Sequence, residues 1–121
     1  MQPSWDIEKA KEFVHTVFYD SVVPSLEEFI KIPNLSRAFD SEWATNGLLE
    51  KAANHIKTWV EGLGIVGLKS EIIKDEGYSP LIFTEVPGQI EGRTIMFYGH
   101  FDKQPPFVGW HEGKGPTTPV I

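Results

Sequence analysis

The chain contains no cysteine among its 121 residues. Disulfide scaffolds, thiol catalysis and cysteine-ligated zinc sites are therefore excluded. It also has no run of basic residues, and 17 acidic against 11 basic side chains give it a net charge of −6. Because nucleic-acid binding depends on basic side chains that neutralise phosphates, we expect no nucleic-acid partner.

Long hydrophobic runs are absent as well, and no apolar stretch approaches the length of a membrane span. Residues 1–8 show no basic segment followed by an apolar segment, so they do not predict a secretory signal. We therefore expect a cytoplasmic protein with no membrane partner. With 40% hydrophobic and 23% charged residues, the composition is that of one folded domain with a modest core.

The first third of the chain predicts a helix that is interrupted once. Ser4 or Asp6 can cap its start. Pro24 lies inside the continuing apolar pattern, so the helix should kink there or restart with Pro24 in its first turn. Ile32 precedes Pro33 and is expected to end the helix. The apolar stripe consists of Ile7, Ala10, Phe13, Val14, Val17 and Phe18.

The middle of the chain predicts a second helix and then strands. The helix should begin near Thr45 or Asn46 and stop at residues 62–64, and the tryptophans Trp5, Trp43 and Trp59 are expected to be buried or half-buried. Strand candidates follow at 66–74, 80–86 and 93–98, of which the last is the most apolar and should be central. This order predicts an α/β fold, with two N-terminal helices packed on a mixed β-sheet.

The strand candidate at 93–98 leads into Gly99, His100 and Asp102. Residues two apart in extended backbone face the same way. The carboxylate of Asp102 can therefore accept the N–H of one ring nitrogen of His100 and leave the other nitrogen free for a metal. The same pair could orient a histidine general base, or form a surface contact at the end of a strand.

The residues around this pair resemble a known motif. The run from Thr94 to Pro105, which reads TIMFYGHFDKQP, with Trp110 downstream, resembles the first metal-binding motif of the carnosinase-like zinc exopeptidases. That family includes cytosolic dipeptidases, carnosine-hydrolysing enzymes and aminoacylases. Residues 26–36 and the second helix are also similar to the family's opening segments. Lys103 departs from the family, which more often carries an apolar residue there.

The resemblance implies a role for each member of the pair. His100 would be a metal ligand in a centre of two Zn2+ ions, and Asp102 would serve the catalytic site as the carboxylate that orients His100. The family's other ligands and its general base would lie downstream. Residues 1–121 would then be the N-terminal portion of the catalytic domain, with the lid or dimerisation domain absent, and this polypeptide alone would be inactive.

The implied activity is a zinc-dependent metallopeptidase of the dipeptidase or carnosinase type. Its substrate would be a dipeptide or short peptide, and the full enzyme could be a homodimer. One alternative is an N-acyl amino acid amidohydrolase of the same family. Another is a non-catalytic α/β interaction module in which His100 and Asp102 are structural.

The other histidines are weaker candidates. His111 and Glu112 lack the second histidine of a zinc-binding helix and occur in a Gly-rich segment, which favours a solvated loop. His15 and His55 fall on predicted helices and are interpreted as structural or surface residues. Trp110 is a candidate for lining a substrate cleft.

Overall fold

A computed structural model describes residues 5–121 of the chain. Helix α1 spans Ile7–Val17 and begins directly after Asp6, one of the two predicted cap residues. The Asp6 side chain accepts a hydrogen bond from the Lys9 amide at 3.1 Å, which satisfies one of the free N–H groups of the first turn. Ser4, the other cap candidate, lies outside the described residues.

A π-helical turn, Phe18–Val22, joins α1 to helix α2, Val23–Lys31. Pro24 occupies the first turn of α2, as predicted, where its missing N–H is tolerated. The amide of Val23 bonds to the carbonyl of Phe18, five residues back, which widens the helix just before the proline. The helix ends at Ile32, whose extended backbone (φ −81°, ψ 116°) is the conformation that a following proline favours.

Helix α3 spans Leu48–Gly62, starting a few residues later than the sequence predicted. Gly47 precedes it in the left-handed region at φ 71°, and the Asn46 side chain accepts from the Leu48 amide at 3.0 Å. The predicted stop is confirmed, and Gly64 just beyond it has a φ of 67°.

Two strands form an antiparallel hairpin. Strand β1 is Lys69–Ile73 and strand β2 is Leu81–Glu85, with Lys69 opposite Glu85 and Ile73 opposite Leu81. Two of the three strand candidates are therefore confirmed. The expectation of a mixed sheet is wrong for the described residues, because this sheet has two strands and they run antiparallel.

The third candidate, residues 93–98, is not a strand in the structure. No backbone hydrogen bond joins residues 94–98 to another part of the described chain. The side chains of Ile95, Met96, Phe97 and Tyr98 are 82–92% exposed. An apolar run is typical of a strand that is covered on both faces. The run by itself does not show that neighbouring strands, or elements that cover the sheet, are present.

The helices form a layer in which only α3 packs on the hairpin. Helix α2 packs on α3, and α1 contacts only the π-helical turn among the described elements. The expectation that both predicted helices cover the sheet is therefore wrong. The α1 stripe is exposed, with Phe13 at 67% and Val14 at 62%, and Trp5 is 81% exposed rather than buried. Trp43 and Trp59 are half-buried, as predicted.

The buried core is small and centres on α3. Its apolar members in the described chain are Ile32, Leu49, Ala52, Ala53 and Pro80, joined by the polar Asn34. The chain exposes 10174 Å², whereas a compact protein of 13.7 kDa exposes about 6,600 Å². Much apolar surface thus remains in contact with solvent. Among residues 5–121, none of the helices has the length and apolar character needed to cross a bilayer.

Candidate metal-binding site

His100 and Asp102 contact each other directly. Nδ1 of His100 lies 3.0 Å from Oδ1 of Asp102 and 3.0 Å from the backbone carbonyl oxygen of the same residue. The His100 side chain is 67% exposed and that of Asp102 is 32% exposed. The structure therefore brings together the two residues that the sequence singled out.

These contacts fix which nitrogen of His100 carries a proton. An ionised carboxylate and a carbonyl oxygen can only accept hydrogen bonds, so Nδ1 is the donor to both. In the neutral imidazole, Nε2 then holds the free lone pair. An exposed imidazole with its Nε2 lone pair available, and with its other nitrogen held by a carboxylate, is the usual form of a histidine metal ligand.

The backbone around the pair is anchored to the helical layer. Residues 91–100 and 104–114 are all exposed, whereas Phe101, Asp102 and Lys103 are half-buried. The Asn34 amide donates from Nδ2 to the Phe101 carbonyl at 2.9 Å. The Ser36 amide donates to the Lys103 carbonyl at 2.8 Å, within a parallel bridge between Leu35 and Lys103. The loop after α2 thus fixes the backbone on which Asp102 lies.

Lys103 adds a side-chain contact to this anchor. Its ammonium donates to the carbonyl oxygen of Phe29 at 2.8 Å, to that of Ile30 at 3.3 Å, and to that of Ile32. The nitrogen also lies 4.4 Å from the centroid of the Phe29 ring. Burial lowers the pKa of this ammonium from its ordinary value of 10.5.

His100 does not follow a paired strand, which corrects the expected setting of the site. The preceding segment makes no ladder hydrogen bonds within the described chain. Gly99 does not have a positive φ, and an added Cβ there would meet nothing within 4 Å. Gly99 therefore makes no left-handed turn out of a sheet. The anchor at 101–103, rather than a strand end, positions the pair.

The remaining histidines lie elsewhere. His15 is on α1 with its ring 4.8 Å from that of Tyr19, and His111 is exposed in a turn. No group of three or more His, Asp or Glu side chains suited to a metal ion occurs among residues 5–121. His100 is thus suited to be one ligand, while a complete zinc site needs at least three protein ligands.

His55 contacts a serine in a way that resembles a catalytic dyad. Its Nε2 lies 3.0 Å from Oγ of Ser25, but also 2.9 Å from the backbone carbonyl of Ser25. Because the carbonyl can only accept, Nε2 carries the proton and cannot remove one from the hydroxyl. The contact joins α2 to α3 and is structural, in agreement with the interpretation of His55 from sequence.

Trp110 lines a pocket of about 330 Å³ together with Ile30 of α2 and residues from 114 to 120. Its indole N–H donates to the Phe107 carbonyl at 2.7 Å, and the side chain is 50% exposed. The pocket therefore borders the same terminal turn of α2 that receives the Lys103 ammonium. That Trp110 lines a substrate cleft here stays a prediction.

Sequence reasoning missed Asn34, and it noted Lys103 only as a departure from the family, without a structural role. Asn34 is fully buried, and its Oδ1 has no partner in the described part of the protein. The helix end at Ile32 and Pro33 could have indicated that donors come from elsewhere in the chain, because it leaves carbonyl oxygens that require donors. Nothing local shows that the donor comes from Lys103, more than 70 residues later.

Comparison with models of known protein families gave no match, and comparison with curated protein sequences gave no significant match.

Proposed function

We propose that this chain is the N-terminal part of a zinc-dependent metallopeptidase of the dipeptidase or carnosinase type. The observation that carries the proposal is the His100–Asp102 contact, in which Nδ1 donates to the carboxylate at 3.0 Å and Nε2 stays available. The resemblance of residues 94–105 to a metal-binding motif supplies the family.

This geometry supports a role for each of the two side chains. His100 would hold one zinc ion through Nε2, and Asp102 would fix the orientation of the ring and its tautomer. Zinc, when bound, supplies a Lewis acid for the scissile carbonyl and a water of lowered pKa. A complete site of two ions requires ligands and a general base beyond the described residues, so we propose that this polypeptide alone is inactive.

Exposed apolar surface supports the assignment to part of a larger domain. Residues 95–98 are almost fully exposed although their sequence is that of a central strand. The apolar face of α1 is uncovered as well. We place residues 1–121 in the catalytic domain, with the lid or dimerisation domain outside them, and propose a cytoplasmic, homodimeric enzyme acting on dipeptides or short peptides.

The test begins with the gene. The reading frame on both sides of the codons for residues 1–121 is sequenced, and the whole encoded protein is expressed, loaded with zinc and assayed. We expect hydrolysis of simple dipeptides that a chelator abolishes and zinc restores. Preferential hydrolysis of N-acetyl amino acids would instead assign the amidohydrolase activity.

Variants connect the activity to the pair. Asp102→Ala should lower kcat/KM about 10–100-fold, the usual cost of removing a carboxylate behind a metal-bound histidine. His100→Ala should cost more, because it removes a ligand. His15→Ala, which removes an exposed histidine on α1, is the matched control and should retain activity. If the encoded protein has no hydrolase activity, or if His100→Ala retains it, the proposal is wrong and a non-catalytic module is favoured.

A further inference from the structure

At the carboxyl end of α2 the Ile32 amide donates to the Phe29 carbonyl at 3.1 Å, and no left-handed glycine follows to supply further donors. A helix leaves up to four carbonyl oxygens without intrahelical donors, and a glycine in the left-handed conformation often closes this end. Here the chain leaves the helix through Ile32 and Pro33, and Pro33 has no N–H to donate. The exposed side chain of Lys31 is paired with Glu28 instead.

Lys103, which is distant in sequence, donates hydrogen bonds to the carbonyl oxygens at this end of α2. An ammonium has three donors and no acceptor, and Nζ contacts three carbonyls, those of Phe29, Ile30 and Ile32. The negative end of the helix dipole and the face of the Phe29 ring both favour a cation at this position. The side chain therefore matches this end of the helix in charge, in donor number and in geometry.

The backbone of Lys103 also anchors the segment that carries the candidate metal site. The Lys103 carbonyl accepts from the Ser36 amide, and two residues earlier the Phe101 carbonyl accepts from Asn34. Asp102 lies between these two anchored residues. Exposed segments flank the anchor on both sides, so few other contacts hold His100 and Asp102 against the helical layer.

We propose that Lys103 is a positioning residue: its ammonium clamps the 101–103 segment to the carboxyl end of α2 and so fixes where the His100–Asp102 pair lies. The clamp concerns the backbone and does not require zinc or hydrolysis. Its test can therefore fail while the proposed metallopeptidase activity stands, and the reverse also holds.

The primary measurement is hydrogen exchange of the Ser36 amide by NMR in the full chain. Lys103→Met keeps the apolar stem and removes the ammonium, and Lys103→Ala removes both. We expect either variant to speed exchange at Ser36 at least about tenfold, a factor that corresponds to about 1.4 kcal/mol, while the amides of Ala52 and Ala53 in α3 change little. Lys9→Met, which removes an exposed lysine from α1, is the charge-matched control and should leave Ser36 unchanged.

Chemical rescue separates the clamp from a general loss of structure. Lys103→Ala lacks three carbons and the nitrogen, which are the heavy atoms of n-propylammonium. This cation should restore protection at Ser36, whereas tetramethylammonium, which has no N–H, should not do so at the same concentration. If Lys103→Met exchanges at the wild-type rate, the proposal is wrong. It is also wrong if Lys103→Ala loses protection throughout α3 and propylammonium restores nothing.

Discussion

The buried amide of Asn34 donates to the backbone carbonyl of Phe101 at 2.9 Å, across 67 positions of sequence. Asn34 belongs to the loop after α2, and Phe101 lies between His100 and Asp102. This hydrogen bond joins the helical layer to the backbone of the candidate site. It is a tertiary contact between two loops, and it belongs to no helix and to neither strand of the hairpin.

Removing this amide should destabilise the protein. Asn34→Ala leaves the Phe101 carbonyl without its donor, and we expect a loss of about 1–3 kcal/mol in the free energy of unfolding, read from urea denaturation. Asn34→Asp should be worse, because a carboxylate would then face the carbonyl without a proton to donate. Asn54→Ala removes an exposed amide on α3 and should change stability by less than about 0.5 kcal/mol. Equal effects at Asn34 and Asn54 would contradict this account.

Zinc should bind the isolated chain weakly. His100 is a candidate ligand because Asp102 holds its Nδ1 and leaves Nε2 available, but no group of three ligating side chains occurs among the described residues. Calorimetric titration with Zn2+ should therefore show no tight one-to-one binding. Tight binding that is lost in His100→Ala and kept in His15→Ala would show that further ligands lie within these 121 residues.

The Glu28–Lys31 pair should give the last turn of α2 a pH dependence. A 2.5 Å hydrogen bond from Lys31, assisted by its charge, lowers the pKa of the Glu28 carboxyl from 4.5, and the same contact raises the pKa of Lys31 above 10.5. The carboxyl therefore contributes stability above pH 4.5 that is lost as the pH falls through its folded pKa. The ammonium contributes stability below pH 10.5 that is lost as the pH rises through its own.

An NMR titration of the Glu28 side chain checks this relationship. Lys31→Met should return the pKa of Glu28 toward 4.5, and high salt should do so in part because both groups are exposed. Lys57→Met on α3 is the matched control and should leave Glu28 unchanged. A Glu28 pKa that is the same in wild type and Lys31→Met would refute the pairing.

The isolated chain should be only marginally stable, because its core is small. Leu49 is 1% exposed and Phe97 is 92% exposed. Leu49→Ala should cost about 2–5 kcal/mol, enough to unfold a marginal chain. Phe97→Ser should change stability by less than about 0.5 kcal/mol, although the sequence pattern assigns Phe97 to a central strand. Cooperative unfolding of the wild type at an ordinary mesophilic midpoint, or a large cost at Phe97, would argue against this description.

Local signals predicted the helices well. The Asp6 cap, the proline in the first turn of α2 and the stop before Pro33 each depend on contacts within a few residues. The local sequence is therefore sufficient to predict them. The hairpin strands were found from their branched and apolar composition and the turn residues that bound them, although they pair across 8 to 16 positions. Residues 93–98 were assigned wrongly because an apolar run shows a preference for burial but does not provide the partners that would bury it.

Sequence by itself determined where α1 begins, where α2 and α3 end, and that His100 and Asp102 are close enough to contact each other. Only the tertiary structure decided what holds the pair in place. The Asn34 amide and the carbonyls at the end of α2 meet Phe101 and Lys103 across about 70 residues. Such contacts exist only after the chain has closed a long loop, and no local pattern specifies which donor reaches which carbonyl.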